Sequence, residues 1–446
     1  MKPDTPTTAS PWLFDSAFPG MLFPLILALA LPFVLPHFNS RFSIFAPLAH
    51  PPFSSASFPR VTSHQSPLTA SEDLTVHEWG TFTSIAGPDG QAMAWLPLTG
   101  STDLPPFVEH LANAEFKGGL RGTIRMETPV LYFYSPRELT ASVHATFSKG
   151  LITEWYPHAS VPALDPRKDL TLSYKHTEGA ITWNSVHIQP GTSGDFPADN
   201  STTHYSAARA TSAAPLLVDT ASGQQREKFL FYRGVSALLP PFTATLVSDD
   251  TVQLQNHFPQ QIPNVILFDR RAGKLGYRIF GPLQDQAALS TPPLDGSLDT
   301  LSSDLEGLLI SQGLYPDEAH AILETWKNSW FEDGSRLLYI LPRSFVDSVL
   351  PLTVTPTPAS TVRVFVGRLE LITPATQQTV ESAFASGDRA TLAHYSRFLE
   401  PILQSMIQST TEAVRQRRLT GYLNSIYTGF YSKPHNEPQQ PRPATE

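Results

Sequence analysis

The segment "LTVHEWGTFTSI", Leu74 to Ile85, sets a histidine beside a glutamate. Such a pair could move protons or hold a metal if both side chains reached one small site. An extended chain sends successive side chains to opposite faces. Val76, Glu78, Gly80 and Phe82 then share one face, and Thr75, His77, Trp79 and Thr81 the other. His77 and Glu78 are therefore expected in different surroundings. The stretch also lacks the H-E-x-x-H spacing that puts two zinc-binding histidines on one helical face.

The same alternation buries other charges. In "RMETPVLYF", Glu127 is expected to share a face with Arg125, Leu131 and Phe133. In "LITEWYP", Glu154 falls with Ile152 and Tyr156, and in "KFLFYRG", Arg233 falls with Phe229 and Phe231. A buried charge is costly unless it is paired. One account is a set of structural Glu–Arg pairs, with Arg121, Arg125, Arg209 and Arg233 as donors. The other is a cleft in the sheet. There Glu78, Glu127 or Glu154 is the catalytic acid or base, Arg233 assists binding, and Trp79, Trp155 or Trp183 stacks on a ligand. Paired carboxylates flanking a glycosidic bond would suit cleavage of a glycan or similar polymer.

Histidines 77, 144, 158, 176, 187, 204 and 257 are scattered without ligand spacing. A metal site would have to be assembled from distant strands, and no metal or other cofactor is expected. "GTSGD" at Gly191–Asp195 lacks the strand–helix context of a nucleophile elbow, and no P-loop or dinucleotide fingerprint occurs. There is no cysteine, which excludes disulfides and thiolate chemistry in this chain. The net charge is -9 without a long charged run, so no nucleic-acid footprint is present.

These candidates need elements to position them. A chain of 446 residues, 41% apolar and 16% charged, exceeds one ordinary core, so two folded parts are expected. The fold class expected is α+β. Residues 71–290 alternate in short runs and read as an antiparallel, sandwich-like β domain. "TVHEWGTFTSIAGPDGQAMAWLPL" reads as a hairpin turning at Gly87-Pro88-Asp89-Gly90, and "NVILFDRRAGKLGYRIF" as one turning near Ala272–Gly273. Residues 291–432 read as mixed and then helical. Pro316 opens one helix, with Ala319, Ile322, Leu323, Trp326 and Trp330 on its apolar face. Residues 433–446 read as a polar, disordered tail.

Between Asp15 and Arg41 there is no Asp, Glu, Lys or Arg. This run is long enough to span a bilayer, so residues 1–38 are expected to hold a transmembrane or signal segment, with 18–38 contacting the membrane. Residues 39–70, rich in Pro and Ser, read as a linker. An anchored, extracytoplasmic domain is the expected arrangement, and cleavage within 1–57 would release it as a soluble exported form. The flanking charges, Lys2 before and Arg41 and Arg60 after, do not fix the orientation.

The blocks "HEWGTFTS", "METPVLYFYS", "GLITEWYP", "KFLFYRG" and "TVRVFVGRLELITP", in this order, resemble those of an uncharacterised group of bacterial proteins. The likeness runs from about Leu74 to beyond Glu400. It implies no activity, cofactor or catalytic residue, and it leaves residues 1–70 outside the shared unit. The function expected is that of a binding or structural protein without catalysis, its protein or polymer ligand unnamed. The alternatives are the carboxylate hydrolase and, more weakly, a His-based metal protein.

Overall fold

The computed structural model describes residues 71–96, 104–111, 121–162, 178–199, 204–248, 250–395 and 397–431. The expected membrane segment, linker and tail lie outside them. Among the described residues no helix is long and apolar enough to cross a membrane.

The strands come first. They are β1 (Ser71–Ile85), β2 (Glu109–His110), β3 (Ile124–Tyr134), β4 (Leu139–Ser148), β5 (Gly150–Tyr156), β6 (Glu178–Ile188) and β7 (Leu216–Thr220). There follow β8 (Gly223–Glu227), β9 (Leu230–Ser236), β10 (Phe242–Ser248), β11 (Thr251–Asn256), β12 (Val265–Arg271), β13 (Lys274–Phe280) and β14 (Gln286–Ser290). Helices then mix with the last strands: α1 (Leu298–Ser311), α2 (Pro316–Trp330), β15 (Gly334–Ile340), α3 (Arg343–Val349), β16 (Leu352–Thr355) and β17 (Pro358–Leu371). The chain ends in α4 (Pro374–Ser386), α5 (Arg389–His394), α6 (Leu399–Ser409) and α7 (Ala413–Tyr431).

The large sheet runs β13-β12-β15-β17-β1-β3-β9-β5-β2. A small sheet β16-β4-β6-β7-β8 and another, β10-β11-β14, accompany it. Side chains of all three sheets, such as Phe82, Phe133, Phe147, Trp183, Leu254 and Phe365, share one core. The opposite face of the large sheet is covered by α1 and α2, which bury Trp326 and Trp330 beside Trp79 and Tyr132. Towards one end α4, α6 and α7 cover Ile85 and Trp95. Sheet faces sheet on one side and sheet faces helix on the other.

The chain is thus strand-rich, with antiparallel sheets and C-terminal helices. Two expectations need correction. β15 and β17, from the expected second part, insert between β12 and β1. The boundary at 290/291 therefore falls inside one sheet, because β1 finds its partner only at the far end of the chain. That partner, β17, runs parallel to β1, so the large sheet is mixed rather than purely antiparallel. The turn at Gly87–Gly90 does form, with Gly90 N–H on the Gly87 carbonyl at 2.9 Å. Its return arm makes only isolated bridges such as Ala86–Ala92, because both edges of β1 are already taken by β17 and β3. Ala272 and Gly273 both take positive φ, as the tight turn between β12 and β13 requires. The five sequence blocks that carry the resemblance lie on β1, β3, β5, β9 and β17, which are neighbours in the order β17-β1-β3-β9-β5.

Gly80 shows how closely β1 is packed. A Cβ there would stand 2.7 Å from the Phe365 ring. Gly80→Ala is expected to lower stability by about 1–3 kcal/mol, read by urea unfolding. Gly307→Ala on α1, where a Cβ meets open space, should raise it by up to about 1 kcal/mol.

Candidate functional site

The phase expected for β1 is the one found. Glu78 faces the sheet–sheet core with Val76 and Phe82, and His77 faces the helices with Trp79. Glu78 is 0% exposed. The parallel register sets it opposite Arg363 of β17. Arg363 Nε donates to Glu78 Oε2 at 2.5 Å, and the Tyr232 hydroxyl, reaching across β3 from β9, donates to Oε1 at 2.5 Å. Arg363 Nη1 donates to Asp347 of α3 at 2.8 Å. Burial works against the Arg363 charge, but Glu78 outweighs it and carries its pKa above the ordinary arginine value. Burial, then the Glu78 charge, pushes the Tyr232 phenol well up, so it stays a neutral donor.

Glu127 departs from its expected phase. Met126, Leu131 and Phe133 all enter the sheet–sheet core. The ladder shifts between Met126 and Val130, where Thr128 takes φ 52°. This bulge reverses the alternation, so Glu127 leaves the face of Leu131 and Phe133. It pairs with Arg397 and accepts from the Thr83 hydroxyl at 2.5 Å. A similar shift between Ile152 and Glu154 puts Ile152 with Trp155 in the sheet–sheet core. Glu154 keeps the face of Tyr156 but not that of Ile152. Its register partner on β9 is Arg233, whose guanidinium lies over the Phe231 ring at 5.7 Å.

The structure therefore does not gather the three glutamates into one cleft. Glu78 lies on one face of the large sheet, and Glu127 and Glu154 on the other. The stacking surface also fails: Trp79, Trp155 and Trp183 are 0%, 7% and 1% exposed, and Trp155 Nε1 is held by Glu109 at 2.9 Å. The arginines that pair with Glu78 and Glu127 are Arg363 and Arg397, neither of them among the donors expected. Arg209 and Arg121 do serve carboxylates, those of Glu227 and Glu400.

One group was missed. Glu318 sits in the first turn of α2 and is 0% exposed. It accepts from the Tyr315 N–H, from the Tyr134 hydroxyl and from His77 Nδ1, each at 2.8 Å. Glu318 caps its helix and orients the imidazole, which Tyr315 covers at 4.5 Å between ring centroids. Its signal was visible: a glutamate in the first turn after Pro316, where a carboxylate caps free N–H groups. Beside Tyr134 opens a cleft of about 460 Å³, lined by Asp73, Thr75, Ser135, Ser212 and Lys228 among others. None of the three sheet glutamates is in its wall. Burial lowers the Lys228 pKa, partly offset by Asp317 and Glu227, and its ammonium donates to the Ala213 carbonyl at 2.9 Å. Hydroxyls and one cation can hydrogen-bond a polar ligand there.

Among the described residues no three His, Asp or Glu side chains stand together to hold a metal ion. The described histidines have ordinary partners, such as His158 with Glu109 at 2.9 Å and His187 with Asp219 at 3.0 Å. His176 lies outside the described residues.

No family model and no curated protein matches the chain. Among solved structures it is similar to the yeast delta-COP-I mu-homology domain complexed with a Dsl1 WxWxV peptide. That likeness has 10% identity and a TM-score of 0.25, over 67% of this chain and 96% of that one. It is too slight to carry fold or function across.

Two measurements check the ion pairs. Glu78→Gln is expected to lower the thermal midpoint clearly, with a cost of up to about 3–5 kcal/mol, because Arg363 loses its buried countercharge and keeps only the half-exposed Asp347. Tyr232→Phe should cost less, about 1.5–3 kcal/mol, because a buried carboxylate oxygen loses its donor. The second concerns Glu370, which accepts from Arg336 Nε at 2.8 Å and from Arg368 Nε at 2.5 Å. Burial alone would raise its pKa, but the two guanidinium groups outweigh burial and hold it below the ordinary value of 4.5. Its contribution to stability is therefore complete above about pH 4.5 and is lost as pH falls through the folded value. Glu370→Gln should flatten the acid limb of Tm against pH.

Proposed function

We propose that this chain is a binding or structural protein without catalytic activity, anchored to a membrane or exported. The observation that carries this reading is the pairing of the sheet glutamates. Glu78 is closed in by Arg363 and Tyr232, Glu127 by Arg397 and Thr83, and Glu154 faces Arg233 across the ladder. A general acid or base needs access to a substrate and a proton to exchange. A carboxylate fixed between a guanidinium and a phenol inside a core has neither. The cleft beside Tyr134 supports the same reading, since its wall offers hydroxyls and Lys228 rather than paired carboxylates. Membrane attachment is supported by the uncharged run between Asp15 and Arg41. Membership in the uncharacterised bacterial group is supported by the five ordered blocks and adds no activity.

The test is turnover. Purified protein incubated with soluble glycans should release no reducing ends above a buffer control. Release that disappears in Glu127→Gln or Glu154→Gln, with the thermal midpoint kept, would overturn the proposal in favour of the hydrolase. Cell fractionation of the full chain against one lacking residues 1–35 should move the protein from the membrane to the soluble fraction.

A further inference from the structure

Lys228 lies on the short connection between β8 and β9. Its neighbours Glu227 and Phe229 are fully buried, and its own N–H donates to Glu227 Oε1 at 2.8 Å. The backbone is thus fixed, and the side chain enters the wall of the cleft beside Tyr134. The amine donates to the Ala213 carbonyl at 2.9 Å. Among the described residues that is its one hydrogen bond, and it forms no ion pair. A half-buried ammonium with no countercharge in contact is costly, and a neutral amine escapes that cost. Burial accordingly lowers the Lys228 pKa, and the charges of Asp317 and Glu227 oppose this without reversing it. Both carboxylates serve other donors. Asp317 accepts from the Ser212 N–H at 2.6 Å, and Glu227 from Arg209 Nη2 at 2.7 Å. The other described lysines, Lys149, Lys274 and Lys327, are all exposed.

The rest of the wall suits a neutral, hydroxylated molecule. Thr75, Ser135, Thr192 and Ser212 bring hydroxyls to it from separate stretches of the chain. Those of Thr75 and Ser212 hydrogen-bond no protein group among the described residues. Ser135 and Thr192 donate to the Arg137 and Gln189 carbonyls and keep a lone pair to accept with. The one carboxylate in the wall, Asp73, takes a hydrogen bond from Arg137 Nε at 3.2 Å. With Asp317 also acting on Lys228, the cleft carries no surplus of positive charge to draw a carboxylate or a phosphate. A volume of about 460 Å³ is that of a small-molecule site.

We propose that Lys228 is a covalent binding site for small, neutral, hydroxylated carbonyl compounds, such as open-chain sugars, which it holds as an imine. The proposal gives the binding reading above a ligand class and rests on it. The amine lone pair forms a bond to the carbonyl carbon, and the C=O π pair moves onto oxygen. The carbinolamine so formed loses that oxygen together with the two nitrogen protons as one water, leaving C=N. Nothing is oxidised or reduced. The step needs a neutral nitrogen, which the half-buried position favours. The Thr75 and Ser212 hydroxyls exchange hydrogen bonds with the hydroxyls of the ligand. Addition of water reverses the step, so the ligand is held rather than turned over.

The test treats the full chain with glyceraldehyde and sodium cyanoborohydride, which reduces an imine to a stable amine. Labelled lysines are then mapped by mass spectrometry. Lys228 should be labelled roughly tenfold faster than Lys149, Lys274 or Lys327, and the advantage should vanish in urea. Propionaldehyde lacks the hydroxyls and glyoxylate carries a carboxylate. Each should show a smaller advantage for Lys228 over the exposed lysines of the same sample. Lys228→Arg should remove the fast label. Ser212→Ala, at an exposed position, should weaken the preference for glyceraldehyde over propionaldehyde while keeping the thermal midpoint. Labelling of wild-type Lys228 no faster than that of the exposed lysines overturns the site. An equal advantage with propionaldehyde or glyoxylate overturns the neutral, hydroxylated class. A wild type that shows no selective label and releases no reducing ends from glycans overturns the imine site alone. Release of reducing ends overturns the non-catalytic reading, whatever Lys228 does.

Discussion

A charge buried in the middle of a sheet has to be matched where it stands, and Glu78 is such a charge. The match is supplied from both directions along the sheet. Arg363 comes from the neighbouring strand and Tyr232 from two strands away. This fixes more than one pair. A slip of one residue between β1 and β17 would send Glu78 and Arg363 to opposite faces and strand both charges. The ion pair therefore specifies the parallel register. Through Asp347 it also ties α3 to the sheet at the point where β15 departs.

The helix side of the same sheet uses a second set of polar contacts. Glu318 holds His77, Tyr134 and the start of α2 together. Arg336 and Arg368 converge on Glu370, and Arg368 also reaches Ser329 and Glu332 at the end of α2. Both ends of α2 are thus pinned to the sheet by charge, with the Trp326 and Trp330 packing between them. The large sheet is thus held by charge on both of its faces.

Much of this was legible in the sequence, for local reasons. The alternation of β1 separated His77 from Glu78 correctly, because its register with β17 is unbroken from Thr75 to Ile85. Pro316 marked the start of α2, and Ala272–Gly273 marked a hairpin, because both act through their own backbone. The bulge at Thr128 was not legible: a non-glycine residue at positive φ is imposed by its neighbours in the sheet, and it reversed the facing of Glu127. The partner of Glu78 was half visible. Alternation in "TVRVFVGRLELIT" directs Arg363 inward with Phe365 and Leu369, but their meeting with β1 spans 285 residues. The placement of β15 and β17 within the first sheet is likewise a long-range fact, so a change of texture near residue 290 looked like a boundary where none exists.

The pairing of β1 with β17 also sets an order in time. During synthesis β1 waits for its parallel neighbour, since Glu78 and Arg363 stand 285 residues apart. Until then Glu78 has no countercharge and stays hydrated, and the centre of the sheet cannot close. The centre of the sheet is therefore committed to closing only after β17 has been made. A ribosome that stops before Leu371 leaves a product that lacks the strand on which the middle of the molecule is built.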